Sequence, residues 1–129
     1  MRIGRKVTLP GSLSTALEGV FGAAVSQVSI TENSLYARMH PHTIATTRRR
    51  RIYLRGSAQD FFDDPWLLLH EYCHVLKQWE PRELTIARYC LEWLRHGYYN
   101  NRFEVEARAF ADENLAVLGA THPSSDSRR

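Results

Sequence analysis

Residues 63–79 read DDPWLLLHEYCHVLKQW, and this stretch decides how the rest of the chain is read. Asp63-Asp64-Pro65 is a helix start. It supplies a carboxylate to accept from the free N–H groups of the first turn, a proline whose missing N–H costs nothing there, and negative charge at the positive end of the dipole. The pattern predicts a helix from this point to about Trp79, stopped ahead of Pro81. At 100° per residue, Trp66, Leu68, Leu69, Tyr72, Cys73, Val75, Leu76 and Trp79 fall in one half of the helix. His70, Glu71, His74, Lys77 and Gln78 share the other half with Leu67 alone. The helix is therefore expected to pack over a broad apolar face and to turn a single polar stripe toward a cleft.

That stripe carries His70-Glu71-Tyr72-Cys73-His74, an H-E-x-x-H pattern. Histidines at i and i+4 stand one above the other on a helix, about 5–6 Å apart at Cβ, so both imidazoles reach one Zn²⁺ at about 2.0–2.1 Å. Glu71 lies about 100° round the helix from His70, offset from joint ligation and suited to take a proton as general base. The competing account makes the histidines exposed helix residues and Glu71 a helix former; their place on the one polar stripe of an apolar helix speaks against it. Cys73 faces the buried half and is rejected as a ligand, as is Cys90, less firmly.

A catalytic zinc takes a third protein ligand and leaves a fourth position to water. Pro81 is expected to open a second helix carrying Leu84, Ala87, Leu91 and Leu94 and ended by Gly97. Asn101 caps a third, NRFEVEARAFADEN, which offers Glu104, Glu106, Asp112 and Glu113. Glu104 would complete a capping box with Asn101 and pair with Arg108 at i+4, whereas Glu106 has no such partner. The expected ligands are thus His70, His74 and Glu106, with Glu104 as the alternative; position on the helical wheel does not separate the two.

The rest of the sequence bounds the answer. A chain of 129 residues with 43% hydrophobic and 24% charged residues fits one small domain, expected over residues 1–120 with THPSSDSRR as a frayed tail. Its longest apolar run, Trp66 to Leu69, falls far short of a membrane span. The basic N-terminus MRIGRKVTLPGSL lacks the apolar core of a signal peptide, and two cysteines make no disulfide framework. The cytoplasm is the expected compartment, with export by a specialised system left open. Ser12 or Ser14 should cap a helix carrying Leu13, Leu17, Val20 and Phe21, followed by a strand over Val25 to Ile30 and another helical turn at Leu35 to Met39. Thr43–Thr47 and Ile52–Leu54 read as a hairpin whose turn holds Arg48 to Arg51. Residues 1–55 carry nine Lys/Arg against two acidic residues and residues 60–129 eight against twelve, so the net +3 conceals one basic patch. A solvated hairpin tip is its ordinary use, and nucleic-acid binding the sharper one. The fold class is α+β, a small antiparallel sheet followed by a helical half.

His70-Glu71-x-x-His74 followed downstream by Glu106-Ala107-x-x-Phe110-Ala111 resembles a small gluzincin metallopeptidase, and its second half is similar to the E-A-x-x-F-A signature of bacterial regulatory peptidases that cleave repressors. Over approximately residues 9–114 the chain resembles the compact bacterial domain of unknown function associated with extracellular contractile injection systems. The features in common are Leu9-Pro10 before a helix ending at Phe21-Gly22, then a strand, a hairpin closing on Ile52-Tyr53-Leu54, and H-E-x-x-H-V-x-x-Q, here through Val75 and Gln78. The resemblance implies a zincin-like fold and a strand beside the active-site helix that binds an extended peptide by β-addition. In gluzincins an acidic residue four positions after the glutamate ligand orients a histidine; here that position is Phe110 counted from Glu106, or Arg108 counted from Glu104. A carbonyl-polarising side chain is also implied, for which His96, Tyr98 and Tyr99 stand on the loop between the last helices. His40 and His42 flank Pro41, but lone loop histidines seldom bind metal.

The expected function is zinc-dependent hydrolysis of peptide bonds in a protein or peptide substrate, with Glu71 as base and zinc held by His70, His74 and Glu106. The alternatives are a non-catalytic zinc protein of a secretion- or toxin-associated system and a nucleic-acid-binding module using Arg48 to Arg51.

Overall fold

The computed structural model describes residues 4–34, residue 37 and residues 45–121. Strand β1 (Arg5–Val7) leads into helix α1 (Gly11–Phe21), a 3₁₀ turn (Ala23–Gln27), and strands β2 (Ser29–Glu32), β3 (Ala45–Arg48) and β4 (Arg51–Leu54). Helices α2 (Ala58–Phe62), α3 (Pro65–Cys73), α4 (Ile86–His96) and α5 (Arg102–Thr121) follow. Between α3 and α4 the chain continues from α3 as a π-helix, His74–Trp79. The expected α+β class is what the chain adopts. The turn expected at Leu35 to Met39, together with His40 and His42, lies outside the described residues apart from Ala37, which is helical and buried.

The sheet has the order β1-β2-β4-β3 and is mixed rather than antiparallel. β1 runs antiparallel to β2, and β3 antiparallel to β4, as the hairpin reading required. The central pair β2–β4 is parallel, with Ile30 opposite Ile52. Alternation of apolar residues fixes which face of a strand is buried and is silent on which neighbour it takes, which is why the central pairing was not foreseen. Ile30, Ile52 and Leu54 enter the core with Leu13 and Leu17 of α1, Phe61 of α2 and Leu68, Leu69 and Tyr72 of α3. Each fully buried aliphatic side chain contributes about 1.5–3 kcal/mol.

Helix α3 starts as its sequence dictates: Asp64 Oδ1 accepts from Leu67 N–H at 3.1 Å, and Pro65 occupies the first turn. Every residue from Trp66 to Val75 is buried, because α5 packs along the side of α3 that the helical wheel assigns to a cleft. Trp66 Nε1 donates to Asp112 Oδ1 at 2.8 Å across that seam. α1 begins without a side-chain cap, so neither Ser12 nor Ser14 performs the expected role, but it does stop at Gly22, whose φ of +87° suits glycine.

The basic hairpin tip is exposed, as its ordinary use requires, though also paired, while the start of α4 and the burial of Cys90 are corrected. The tip of the β3–β4 hairpin is tied down: the Arg50 guanidinium donates to both oxygens of Glu80, at 3.2 and 3.0 Å, and Arg49 also pairs with Glu80. Arg48 lies over the Trp79 ring, 5.5 Å from its centre. The basic run is therefore partly engaged with the end of the chain's own π-helix, at Trp79, and with Glu80 just beyond it. Helix α4 starts at Thr85, not Pro81, with Thr85 Oγ1 accepting from Arg88 N–H at 3.1 Å. It ends at Gly97 as expected, yet it contributes no buried residue, and Ile86, Leu91, Trp93 and Leu94 face outward. Cys90 is exposed with them, contrary to the expectation of two buried thiols.

Candidate metal centre

His70 and His74 stand on successive turns at the junction of α3 with the π-helix, their rings 4.9 Å apart and edge to face. Trp66, one turn earlier, stacks on the His70 ring at 5.0 Å between centres and fixes its plane. The carboxylate that meets them is Glu104, from the first turn of α5. Its Oε1 lies 3.2 Å from His70 Nε2 and 3.1 Å from His74 Nε2. One ligand atom from each of these three buried residues lies within 4.8 Å of the others. Glu106, expected as the third ligand, is turned away. It reaches from an exposed position to accept from Gln78 Nε2 at 2.7 Å.

The correction has a physical cause. Glu104 does not form the capping box: the Asn101 N–H that its carboxylate would accept from donates to Tyr98 O at 3.3 Å, and Asn101 Oδ1 accepts from Phe103 N–H at 2.8 Å. The carboxylate is left free to face α3. On the α5 wheel the buried residues Phe103, Ala107, Ala111 and Leu118 span an arc of about 80°, with Glu104 about 20° beyond one edge and Glu106 about 60° beyond the other. The small Ala107 and Ala111, which let the two helices approach, were the sequence signal for that arc.

Two residues outside the expected set complete the surroundings. Tyr89, from α4, donates its hydroxyl to Glu104 Oε2 at 2.9 Å. Gln78, wholly buried, presents Oε1 to His74 Nδ1 at 2.7 Å, and its Nε2 also donates to Phe103 O at 3.0 Å. In the sequence Gln78 belongs to the extended motif and to the polar stripe expected to face the cleft, without a role of its own. Tyr89 carries no sequence signal that sets it above Tyr98 and Tyr99. Of the residues weighed as carbonyl polarisers, His96 is exposed, and its nearest acidic partner is Glu92 at 3.9 Å. Tyr99 is exposed with the Arg108 guanidinium over its ring. Tyr98 is also exposed, at 43%, but feels the centre: desolvation of its hydroxyl, with the negative charges of Glu104 and Glu71, raises its pKa above the ordinary range.

The electrostatics of the cluster favour positive charge among the two histidines and negative charge on the carboxylate. Burial alone would lower the pKa of His74, but the charge and hydrogen bond of Glu104 raise it to about 9. Burial would raise Glu104, yet the charge of His74 and the hydrogen bonds from both imidazoles hold it far below the usual carboxylate range. Glu71, beside the group and not part of it, is pushed upward by burial, with the two histidines opposing the shift. Cys73 is outside the group, its thiol pushed up to about 12 by burial and nearby carboxylates.

The three residues fit a zinc ion on the chemistry of the donor set. His74 Nδ1 donates to Gln78, so its Nε2 is the nitrogen that faces Glu104 Oε1. An unprotonated imidazole nitrogen and a carboxylate oxygen do not attract each other at 3.1 Å; a second proton or a metal cation must lie between them. Tetrahedral ligand atoms at about 2.1 Å from an ion are about 3.4 Å apart, a few tenths of an ångström beyond the separations found here. Among the described residues His70 Nδ1 has no hydrogen-bond partner, so that imidazole is oriented by the Trp66 ring and by its Nε2 contact with Glu104.

The model of one protein family, the eCIS core domain, matches residues 8–82. Comparison with curated proteins and with solved structures gives no match. The matched stretch contains His70, Glu71, His74 and Gln78, whereas Tyr89, Glu104 and Glu106 follow it.

Proposed function

The chain belongs to the eCIS core domain family, that of the extracellular contractile injection system, and from that premise we propose that it is a zinc-dependent peptidase working within such a system. The observation that supports this most is the convergence of His70 Nε2, His74 Nε2 and Glu104 Oε1 beside a buried Glu71. A zinc ion bound there supplies a Lewis acid for the scissile carbonyl and lowers the pKa of the attacking water. Glu71 is the base. Burial raises its proton affinity, so it takes the water's proton and passes it to the departing amine. Tyr89 and Gln78 hold Glu104 and His74 in place, and α5 covers the side of α3 from which bulk water would otherwise enter. The substrate is a protein or peptide.

Burial of all three ligands also favours a non-catalytic role, in which zinc clamps α3 to α5. One experiment separates the two. The wild-type protein and Glu71→Gln are analysed for bound zinc and for cleavage of an unfolded protein and a mixed peptide library. A peptidase gives one equivalent of zinc in both proteins and cleavage only by the wild type, because the amide cannot accept the proton. Zinc in both without any cleavage indicates the clamp, and a wild type that neither contains nor takes up zinc refutes both. Loss of zinc in Glu71→Gln would make Glu71 a ligand.

A further inference from the structure

Glu106 is exposed, binds none of the expected metal-ligand atoms, and still directs its carboxylate inward to a fully buried amide. That amide, Gln78, has three polar neighbours. Phe103 O and Glu106 Oε1 lie 3.0 and 2.7 Å from one end, and His74 Nδ1 lies 2.7 Å from the other. A carbonyl and a carboxylate can only accept, so both demand the NH₂ end of the amide. Its oxygen is then committed to His74, and His74 Nδ1 must carry a hydrogen.

We propose that Glu106 is a positioning residue for the metal centre: by fixing the orientation of Gln78 it holds the hydrogen of His74 on Nδ1 and leaves Nε2 to the metal. This rests on the zinc site proposed above but concerns a residue that does not touch it. Phe103 O is a backbone atom and favours the same orientation with a single longer bond. Glu106 adds the shorter one, and a flipped amide would bring its oxygen against a carboxylate oxygen. The flipped amide would also offer N–H to His74 Nδ1, moving the ring hydrogen to Nε2 and closing the nitrogen that faces Glu104. Partners of this kind, one bond behind a ligand, typically change metal affinity 10–100-fold when removed.

The test uses the full chain as wild type, Glu106→Leu and Glu106→Gln, with Zn²⁺ as the probe. Zinc affinity is measured by competition with a chromogenic chelator, and the ring N–H of His74 is followed by ¹⁵N-resolved NMR with and without zinc. Because Glu106 is exposed, both variants should fold, which the same spectra verify. The wild type should show an exchange-protected Nδ1–H on His74. Glu106→Leu should lose that protection and bind zinc at least about tenfold more weakly. Glu106→Gln, whose amide oxygen can still accept from Gln78, should keep the protected hydrogen and stay within about threefold of wild type. The proposal is overturned by a wild type lacking the protected Nδ1–H, by Glu106→Leu behaving as wild type, or by Glu106→Gln losing as much affinity as Glu106→Leu, since charge rather than orientation would then be at work. If the wild type binds no zinc, the metal site fails, and the NMR comparison decides on the relay alone: protection lost in Glu106→Leu and kept in Glu106→Gln supports it, and any other pattern overturns it.

Discussion

The Tyr89 hydroxyl donates to Glu104 Oε2 at 2.9 Å, joining the outlying helix α4 to the carboxylate that faces both histidines. This is the one side-chain hydrogen bond found between α4 and the candidate ligands among the described residues. Tyr89→Phe deletes it without changing shape and leaves one carboxylate oxygen without its donor. Zinc affinity should fall about tenfold, and stability by about 0.5–1.5 kcal/mol. Chelator competition and urea denaturation measure the two effects.

Glu104→Gln should remove the anionic ligand while keeping the side chain's size. Zinc binding should weaken by more than about a hundredfold, beyond what the loss of an outer partner causes. Glu106→Leu should lose less, so the order of the two variants in one metal titration tests the ligand assignment. Equal or reversed losses would return Glu106 to the coordination set.

Much of this was legible in the sequence, and the remainder fails for identifiable reasons. Asp64 and Pro65 set the start of α3, and Gly22 and Gly97 end their helices, because capping and positive φ are local properties of one or two residues. Glu104 stood second to Glu106 because the sequence shows a capping motif but not that Tyr98 O takes the Asn101 N–H the motif needs. α4 has an apolar arc as clear as that of any core helix, but amphipathicity says only that a face is apolar, not that the same chain covers it. The π-helix from His74 to Trp79 was invisible for a similar reason. Its wider winding departs from the spacing on which the wheel depends, and Gln78 passes from the expected polar stripe to complete burial.

That contrast between helices predicts opposite responses to similar truncations. Leu69 is fully buried on α3, so Leu69→Ala should cost about 2–5 kcal/mol. Leu94 is 75% exposed on α4, and Leu94→Ala should stay within about 0.5 kcal/mol of wild type. Chemical denaturation of both variants decides, and a large loss in Leu94→Ala would mean that its face is covered in solution.

Glu32 gives stability a defined dependence on pH. Its carboxylate accepts from the backbone N–H of Ala58 at 2.7 Å and from Arg5 Nε at 2.6 Å. The Ala58 bond is the main cause of a folded-state pKa below the ordinary 4.5, burial opposing it and Arg5 reinforcing it. A depressed carboxylate pKa stabilises the fold above the unfolded value, and that contribution disappears as pH falls through the folded value. Glu32→Gln should therefore melt lower than wild type at pH 7, with the gap narrowing steadily below about pH 4.5. A gap that is constant with pH would show that the hydrogen-bond geometry matters and the charge does not.

The contact between residues 70 and 104 spans 34 positions of the sequence. A cation gripped there is a reversible cross-link, the counterpart of a disulfide in a region whose one buried thiol is inert. Tying off a loop of that length takes about 4 kcal/mol of chain entropy out of the unfolded ensemble. Whatever chemistry the ion performs, it would also staple the last helix to the body, and chelation would be felt first as an earlier release of α5 on heating.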